Sequence, residues 1–196
     1  MSTYKGYIDL FPTRIHKIAI DQKIIKSLAP FDDSKNITDV SKDVRYKLLN
    51  ENVLKEVSNI CPKHEMIGDW KIVGSWINNQ PTGKNGFGFH SHSDSFMSCV
   101  LYLQGKKMSL VLKETARQSY PSDSTADNYF DIVVRHSWHP EISIPVEVGD
   151  LIVFPSYQIH KSNDNDEDVD RISIAYNLMP SKIKSQKSFP WTMEFN

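Results

Sequence analysis

Near residue 70 the spacing of apolar side chains changes from a helical to a strand-like period. Before it, between residues 39 and 60, Val40, Val44, Leu48, Val53, Leu54 and Val57 recur close to the 3.6-residue period of an amphipathic helix. Ser41 reads as its N-cap, and Pro62, just beyond Cys61, as its stop. An apolar stripe of this kind must be buried, and a sheet built by the rest of the chain is the natural surface for it. After residue 70 short β-rich runs follow one another at 70–78, 87–92, 96–104, 108–112, 130–135, 142–148, 150–154 and 171–178. Gly83, Gly86, Gly105 and the pair Gly149-Asp150 punctuate them. Closely spaced strands with no helices between them predict a β-sandwich or jelly roll rather than βαβ units. The polar stretch 115–128 is expected to loop over one rim, where it and the run 70–78 would line a substrate mouth. Residues 163–170 are too acidic for a strand. The whole chain, 1–196, is expected to form a single domain, with a barrel core over about 70–178 and an N-terminal helical layer over about 1–66.

Composition narrows the function classes. Lys and Arg total 23 against 24 Asp and Glu, a formal net charge of −1, so no surplus charge points to nucleic acid or to an anionic membrane as partner. No apolar run approaches the roughly 20 residues of a membrane span, and the first residues lack the basic-then-apolar layout of a signal peptide. The two cysteines, Cys61 and Cys99, stand far apart and read as reduced thiols, which places the chain in the cytoplasm.

Candidate chemistry rests on three histidines and an arginine. His90 and His92 lie two apart in a strand-like run, which would send both side chains from one face of the sheet. His160 comes much later, just past the apolar run Leu151-Ile152-Val153-Phe154. Two ligands from one segment and a third from a distant one fit one face of a metal in a β-barrel; for non-haem Fe(II) the usual set is two histidines and a carboxylate. Asp94, two residues past His92, is the nearest acid. His16, His64, His136 and His139 receive no such role. Arg171 opens an apolar strand, with Ser173 on its own face and Ile172, Ile174 and Tyr176 as packing residues on the other. An inward arginine needs an anion, and a guanidinium beside a hydroxyl suits a carboxylate. The bland alternative is an edge strand whose Arg171 meets solvent and pairs with Asp168 or Asp170. In the run 96–102 the alternation puts Ser98, Val100 and Tyr102 on one face and Met97, Cys99 and Leu101 on the other. Tyr102 reads either as packing or as a phenol aimed at the same carboxylate.

Three stretches then carry a family resemblance. They are His90-Ser91-His92-Ser93-Asp94-Ser95-Phe96-Met97-Ser98-Cys99-Val100-Leu101-Tyr102, the run Gly149-Asp150-Leu151-Ile152-Val153-Phe154-Pro155-Ser156 leading to His160, and Arg171-Ile172-Ser173-Ile174-Ala175-Tyr176-Asn177. Together they resemble the Fe(II)- and 2-oxoglutarate-dependent oxygenases of bacteria and phages, more distantly the prolyl and lysyl hydroxylases. Leu10-Phe11-Pro12-Thr13 is a fainter echo. The resemblance implies a double-stranded β-helix, a cupin-like jelly roll, using Fe(II), 2-oxoglutarate and O2. It implies His90 and His160 as iron ligands, Arg171 as the partner of the distal 2-oxoglutarate carboxylate, and Ser173 and Tyr102 as helpers. His92 falls where the wider superfamily has Asp or Glu, so either His92 or Asp94 completes the metal site; the turn-like composition of Ser93-Asp94-Ser95 favours His92. Hydroxylation of a small molecule or peptide is the expected outcome, while halogenation and desaturation use the same scaffold, and halogenases of this superfamily lack the metal-binding carboxylate. The rival readings are a three-histidine cupin without a cosubstrate, which leaves Arg171 idle, and a non-catalytic jelly-roll binding module.

Overall fold

β-branched and aromatic residues gather into ten strands in the computed structural model, which describes residues 13–29, 31, 39–61, 68–113, 141–184 and 192–194. The strands are β1 (His16–Ala19), β2 (Trp70–Gln80), β3 (Met97–Gln104), β4 (Met108–Lys113), β5 (Glu141–Val146), β6 (Asp150–Pro155), β7 (His160–Ser162), β8 (Arg171–Pro180), β9 (Lys182–Lys184) and β10 (Thr192–Glu194). Five form one sheet in the order β1-β6-β3-β8-β2, three form a second in the order β5-β4-β7, and β9 pairs with β10. All named strand pairs are antiparallel. The fold is a jelly roll with helices over one face, as the patterning predicted.

Alternation along β3 and β8 gives the large sheet two working faces. Cys99, Leu101, Ile172, Ile174, Tyr176 and Leu178 point one way and join Val40, Leu49, Val53 and Val57 of the helical layer in one buried cluster. Tyr102, Ile152 and Phe154 point the other way and meet Met108, Leu110, Leu112 and Val146 of the small sheet. The helix α2 (Lys47–Ile60) docks through Leu49, Val53 and Val57, all fully buried. Each such side chain contributes about 1.5–3 kcal/mol relative to exposure. The polar atoms of this layer are paired: Tyr176 Oη donates to Asn50 Oδ1 at 3.2 Å, and Asn50 Nδ2 donates to the Val40 carbonyl at 3.2 Å.

Several expectations need correction. The periodic stretch 39–60 is not one helix: 3-10 turns at Val40–Lys42 and Val44–Tyr46 precede α2. Asp39 and Asp43, not Ser41, act as caps, accepting from the Ser41 and Arg45 amides, and these local bonds compete with α-helix until residue 47. The later start fixes the buried phase at Leu49, Val53 and Val57, leaving Val44 and Leu48 exposed. Residues 87–92 form no strand; His90 makes only an isolated bridge with His160. The short strands β1, β7, β9 and β10 had no counterpart in the expected runs. Leu10 to Pro12, Pro62, residues 115–128 and 130–135, His64, His136 and His139 lie outside the described residues.

Candidate metal centre

Strand register lays out the floor of a cavity between the two sheets. Along β8 the residues Arg171, Ser173, Ala175 and Asn177 share a face. On one side Gln80, Asn78 and Trp76 of β2 pair with Arg171, Ser173 and Ala175; on the other Tyr102, Val100 and Ser98 of β3 pair with Ser173, Ala175 and Asn177. All of these except Asn177 line a cavity of about 300 Å³, together with His90, His92, Leu110, Phe154 and His160. Arg171 is therefore buried in the barrel, not on a solvent-facing edge.

The three histidines meet at one end of this cavity. Each offers a ring nitrogen, and the three nitrogens lie within 4.8 Å of one another. The Nδ1 atoms of His90 and His160 lie 2.8 and 2.9 Å from the carbonyl oxygens of Gly88 and Gln158, and Nδ1 of His92 lies 2.6 Å from Asn177 Oδ1. A carbonyl only accepts, so Nδ1 donates in the first two and Nε2 carries the lone pair. Nε2 of His92 is buried with no hydrogen-bond partner, an orphan that a metal would satisfy. Burial also lowers the basicity of His92, and lowers the His160 pKa to about 4, so that His160 is neutral at neutral pH. His160 packs edge-on against Phe154, and Trp76 stacks on His92 at 5.6 Å between centroids.

This convergence does not come from strand alternation, since residues 87–92 are irregular. The segment is instead pinned to its neighbours through its backbone: His90 and His160 exchange main-chain hydrogen bonds of 3.0 and 2.9 Å, and the His92 amide donates to the Ser156 carbonyl at 2.9 Å. Gly86 permits the close approach, because a Cβ there would run into the Ser162 carbonyl. Asp94 does not join the cluster; its carboxylate accepts from Asn177 Nδ2 at 3.3 Å. Of the two residues that sequence left open, His92 reaches the centre.

At the other end sits the guanidinium of Arg171. Its Nη1 donates to Gln80 Oε1 at 3.1 Å and to the Asn163 carbonyl at 2.7 Å, and its Nη2 to the Asp164 carbonyl at 3.1 Å. Its Nε is buried without a partner. None of these acceptors is an anion, so the charge is solvated by dipoles while one N–H still lacks an acceptor. Ser173 and Tyr102 stand beside it on the cavity wall, and burial pushes the Tyr102 phenol well above its usual range, keeping it a neutral donor. Gly105, at φ +140°, turns β3 into β4 close to the Arg171 stem. Sequence reasoning missed Gln80; the signal available was its place two positions past Asn78 on the cavity face of β2. Asn177 was visible only as a motif residue without a role.

A jelly roll holding three bare imidazole nitrogens and a buried, incompletely paired arginine in one cavity defines a metal-dependent enzyme scaffold. Residues 74–177 match the family described as "Putative 2OG-Fe(II) oxygenase", and the chain belongs to that family. The family uses Fe(II), 2-oxoglutarate and O2, and the protein is accordingly an oxidoreductase. No curated protein matches the sequence. Among solved structures it is similar to the non-heme alpha ketoglutarate dependent epimerase SnoN from nogalamycin biosynthesis, with 10% identity, TM-score 0.63, and coverage of 89% of this chain and 79% of that one. It is also similar to HygX from Streptomyces hygroscopicus with nickel and 2-oxoglutarate bound, with 11% identity, TM-score 0.57, and coverage of 86% and 83%. A third is the carbocyclase SnoK from nogalamycin biosynthesis, with 11% identity, TM-score 0.52, and coverage of 73% and 60%. At these identities the likeness is one of fold. No helix among the described residues is long and apolar enough to cross a membrane, and Cys61 and Cys99 are both free.

Proposed function

We propose that the protein is a hydroxylase in which His90, His92 and His160 hold Fe(II) and Arg171, helped by Ser173 and Tyr102, holds the distal carboxylate of 2-oxoglutarate. The observation carrying this reading is that a bare His92 Nε2 and a bare Arg171 Nε are buried in the wall of the same cavity. Asn163, whose carbonyl Arg171 grips, follows His160 by three residues, roughly 10 Å at the rise of a strand. A five-carbon diacid suits that separation. When bound, the iron and its cosubstrate supply the oxidising power, converting 2-oxoglutarate and O2 to succinate and CO2 with one oxygen atom placed into a substrate C–H bond. The chain's own residues do the positioning. The three Nε2 lone pairs would hold the metal, Arg171 and the Tyr102 phenol would orient the cosubstrate, and Phe154, Leu110 and Val100 keep the interior apolar.

Hydroxylation is favoured over halogenation because a third ring nitrogen, that of His92, stands beside those of His90 and His160, where halogenases of this superfamily lack a metal-binding side chain. The substrate is a small molecule or peptide that enters past Trp76 and Phe87. The near-neutral charge favours neither nucleic acid nor membrane as partner, and the unpaired thiols suit the cytoplasm. Three nitrogens also fit a cupin-type centre without a cosubstrate, a reading that leaves the Arg171 Nε without an acceptor. Anaerobic titration separates these. A weak visible charge-transfer band that requires both Fe(II) and 2-oxoglutarate is expected; metal binding indifferent to 2-oxoglutarate would favour the cupin centre, and binding of neither would leave a non-catalytic module. With a turnover substrate in hand, a product that gains one oxygen atom from labelled O2 marks hydroxylation, whereas an unchanged mass or loss of two hydrogens marks another outcome.

A further inference from the structure

The three histidines differ in what holds them. His90 and His160 are oriented by main-chain carbonyls, which no substitution at those positions alters. His92 alone among the three is oriented by a side chain, Asn177, and through it by a second side chain, Asp94. We infer that Asp94 and Asn177 are positioning residues that fix the tautomer of His92 and feed it the electron density of a carboxylate at one remove. This inference rests on the metal-centre reading above.

The argument is one of donors and acceptors. An ionised Asp94 can only accept, so Asn177 must present its Nδ2 to Asp94, the 3.3 Å contact. The amide oxygen then faces His92, 2.6 Å from Nδ1. An oxygen accepts, so Nδ1 must be the protonated nitrogen and Nε2 must carry the lone pair. Each group thus dictates the next, and the sequence of bonds has one direction. Asn177 cannot readily turn over, because it is 5% exposed and its oxygen also receives Ser98 Oγ at 3.5 Å from the facing position on β3. Ser98 is tied in turn to Ser156 at 2.9 Å, and Ser156 to Ser95 at 2.8 Å. The carboxylate lies at the exposed end of the chain, so its charge stays hydrated while the bonds it orders run inward to a buried nitrogen. Where the superfamily places an acid on the metal, this chain places an imidazole with the acid behind it, and the acid acts through hydrogen bonds to make Nε2 a better donor.

The tautomer is read directly in the metal-free protein from the ring 15N shifts of His92, and the metal-centre reading is tested separately by Ni(II) titration. The wild type is expected to show His92 protonated at Nδ1 and to take up Ni(II). Asp94→Asn, at an exposed position that leaves the fold undisturbed, removes the obligatory acceptor and should mix the two tautomers while weakening Ni(II) severalfold. Asn177→Leu should abolish the preference and weaken Ni(II) about 10- to 100-fold, the range for loss of an outer hydrogen-bond partner. The exchange Asn177→Asp with Asp94→Asn moves the acid next to His92, reverses only the bond between positions 94 and 177, still presents an acceptor to His92 Nδ1, and should restore both the Nδ1–H signal and Ni(II) affinity. If Asn177 only fills space, its variants change thermal stability and leave the His92 shifts as in the wild type, which overturns the inference. A wild type with the Nδ1–H signal but no Ni(II) uptake overturns the metal-centre reading instead.

Discussion

The two ends of the cavity are built in opposite ways. The arginine end is a product of strand register: Arg171, Gln80, Ser173 and Tyr102 sit where pairing of β8 with β2 and β3 puts them. The histidine end owes little to any strand. His90 and His92 come from an irregular segment, and His160 from the first residue of a three-residue strand. The arginine end keeps its cation surrounded by carbonyl dipoles, while at the histidine end burial lowers the basicity of His92 and His160. Regular pairing fixes a long, flexible side chain that carries a permanent charge, and local backbone pinning fixes three short rings.

The largest effect expected from breaking this comparison is at the histidine end. His160→Ala should weaken Fe(II) far beyond the roughly 10- to 100-fold cost of losing an outer partner, with the circular dichroism of the sheet retained; anaerobic isothermal titration measures it. Retained iron affinity would remove His160 from the centre.

Next comes pH, to which only the histidine end responds between 4 and 7. The folded His160 pKa is lowered from 6.5 to about 4, so the unfolded chain takes a proton first. Stability of the metal-free protein is then complete above pH 6.5 and is lost as pH falls from there through 4, by on the order of 3 kcal/mol. Thermal midpoints in the presence of chelator should fall across that window and fall less in His160→Gln.

At the other end, Arg171→Leu should cost about 1.5–3 kcal/mol of charge-assisted bonding, on the order of 10- to 100-fold in 2-oxoglutarate affinity, with iron affinity little changed. Arg171→Lys should recover part, since an ammonium lacks the guanidinium fork. Unchanged 2-oxoglutarate binding in Arg171→Leu would put the three-histidine cupin ahead. The smallest effect belongs to Gln80→Leu, which removes one acceptor from Nη1: about 1 kcal/mol, or roughly fivefold in 2-oxoglutarate affinity, read by the same titration.

The contrast also explains what could be read before the structure. Arg171, Ser173 and Tyr102 were legible because strand alternation is a period of two that survives in sequence, and the observed register keeps them on one face. The histidines were found by spacing, but for a reason the structure does not share, because 87–92 is not a strand and its convergence depends on bonds to Ser156 and His160 far along the chain. Gln80 was illegible as a partner of Arg171, since glutamine at a strand end carries no signal until β2 is set beside β8. The helix start was misplaced because Asp39 and Asp43 turn to their own backbone, a local competition that apolar periodicity does not register.

The bridges that join residues 84–90 to β7 and to Asn165 just beyond it have a further consequence. In the small sheet β7 pairs with β4 on one side only, so its other side would offer unpaired amides and carbonyls to any strand of another molecule. Lys84 bridges Asn165, His90 bridges His160, and the Phe87 amide donates to Ser162 Oγ at 3.0 Å, so the irregular segment lies along that border like a seal. Its fit depends on Gly86, where any side chain would push the backbone off Ser162. A substitution there would uncover the border and loosen the segment that carries His90 and His92, so self-association in sedimentation would accompany a change in what the cavity binds.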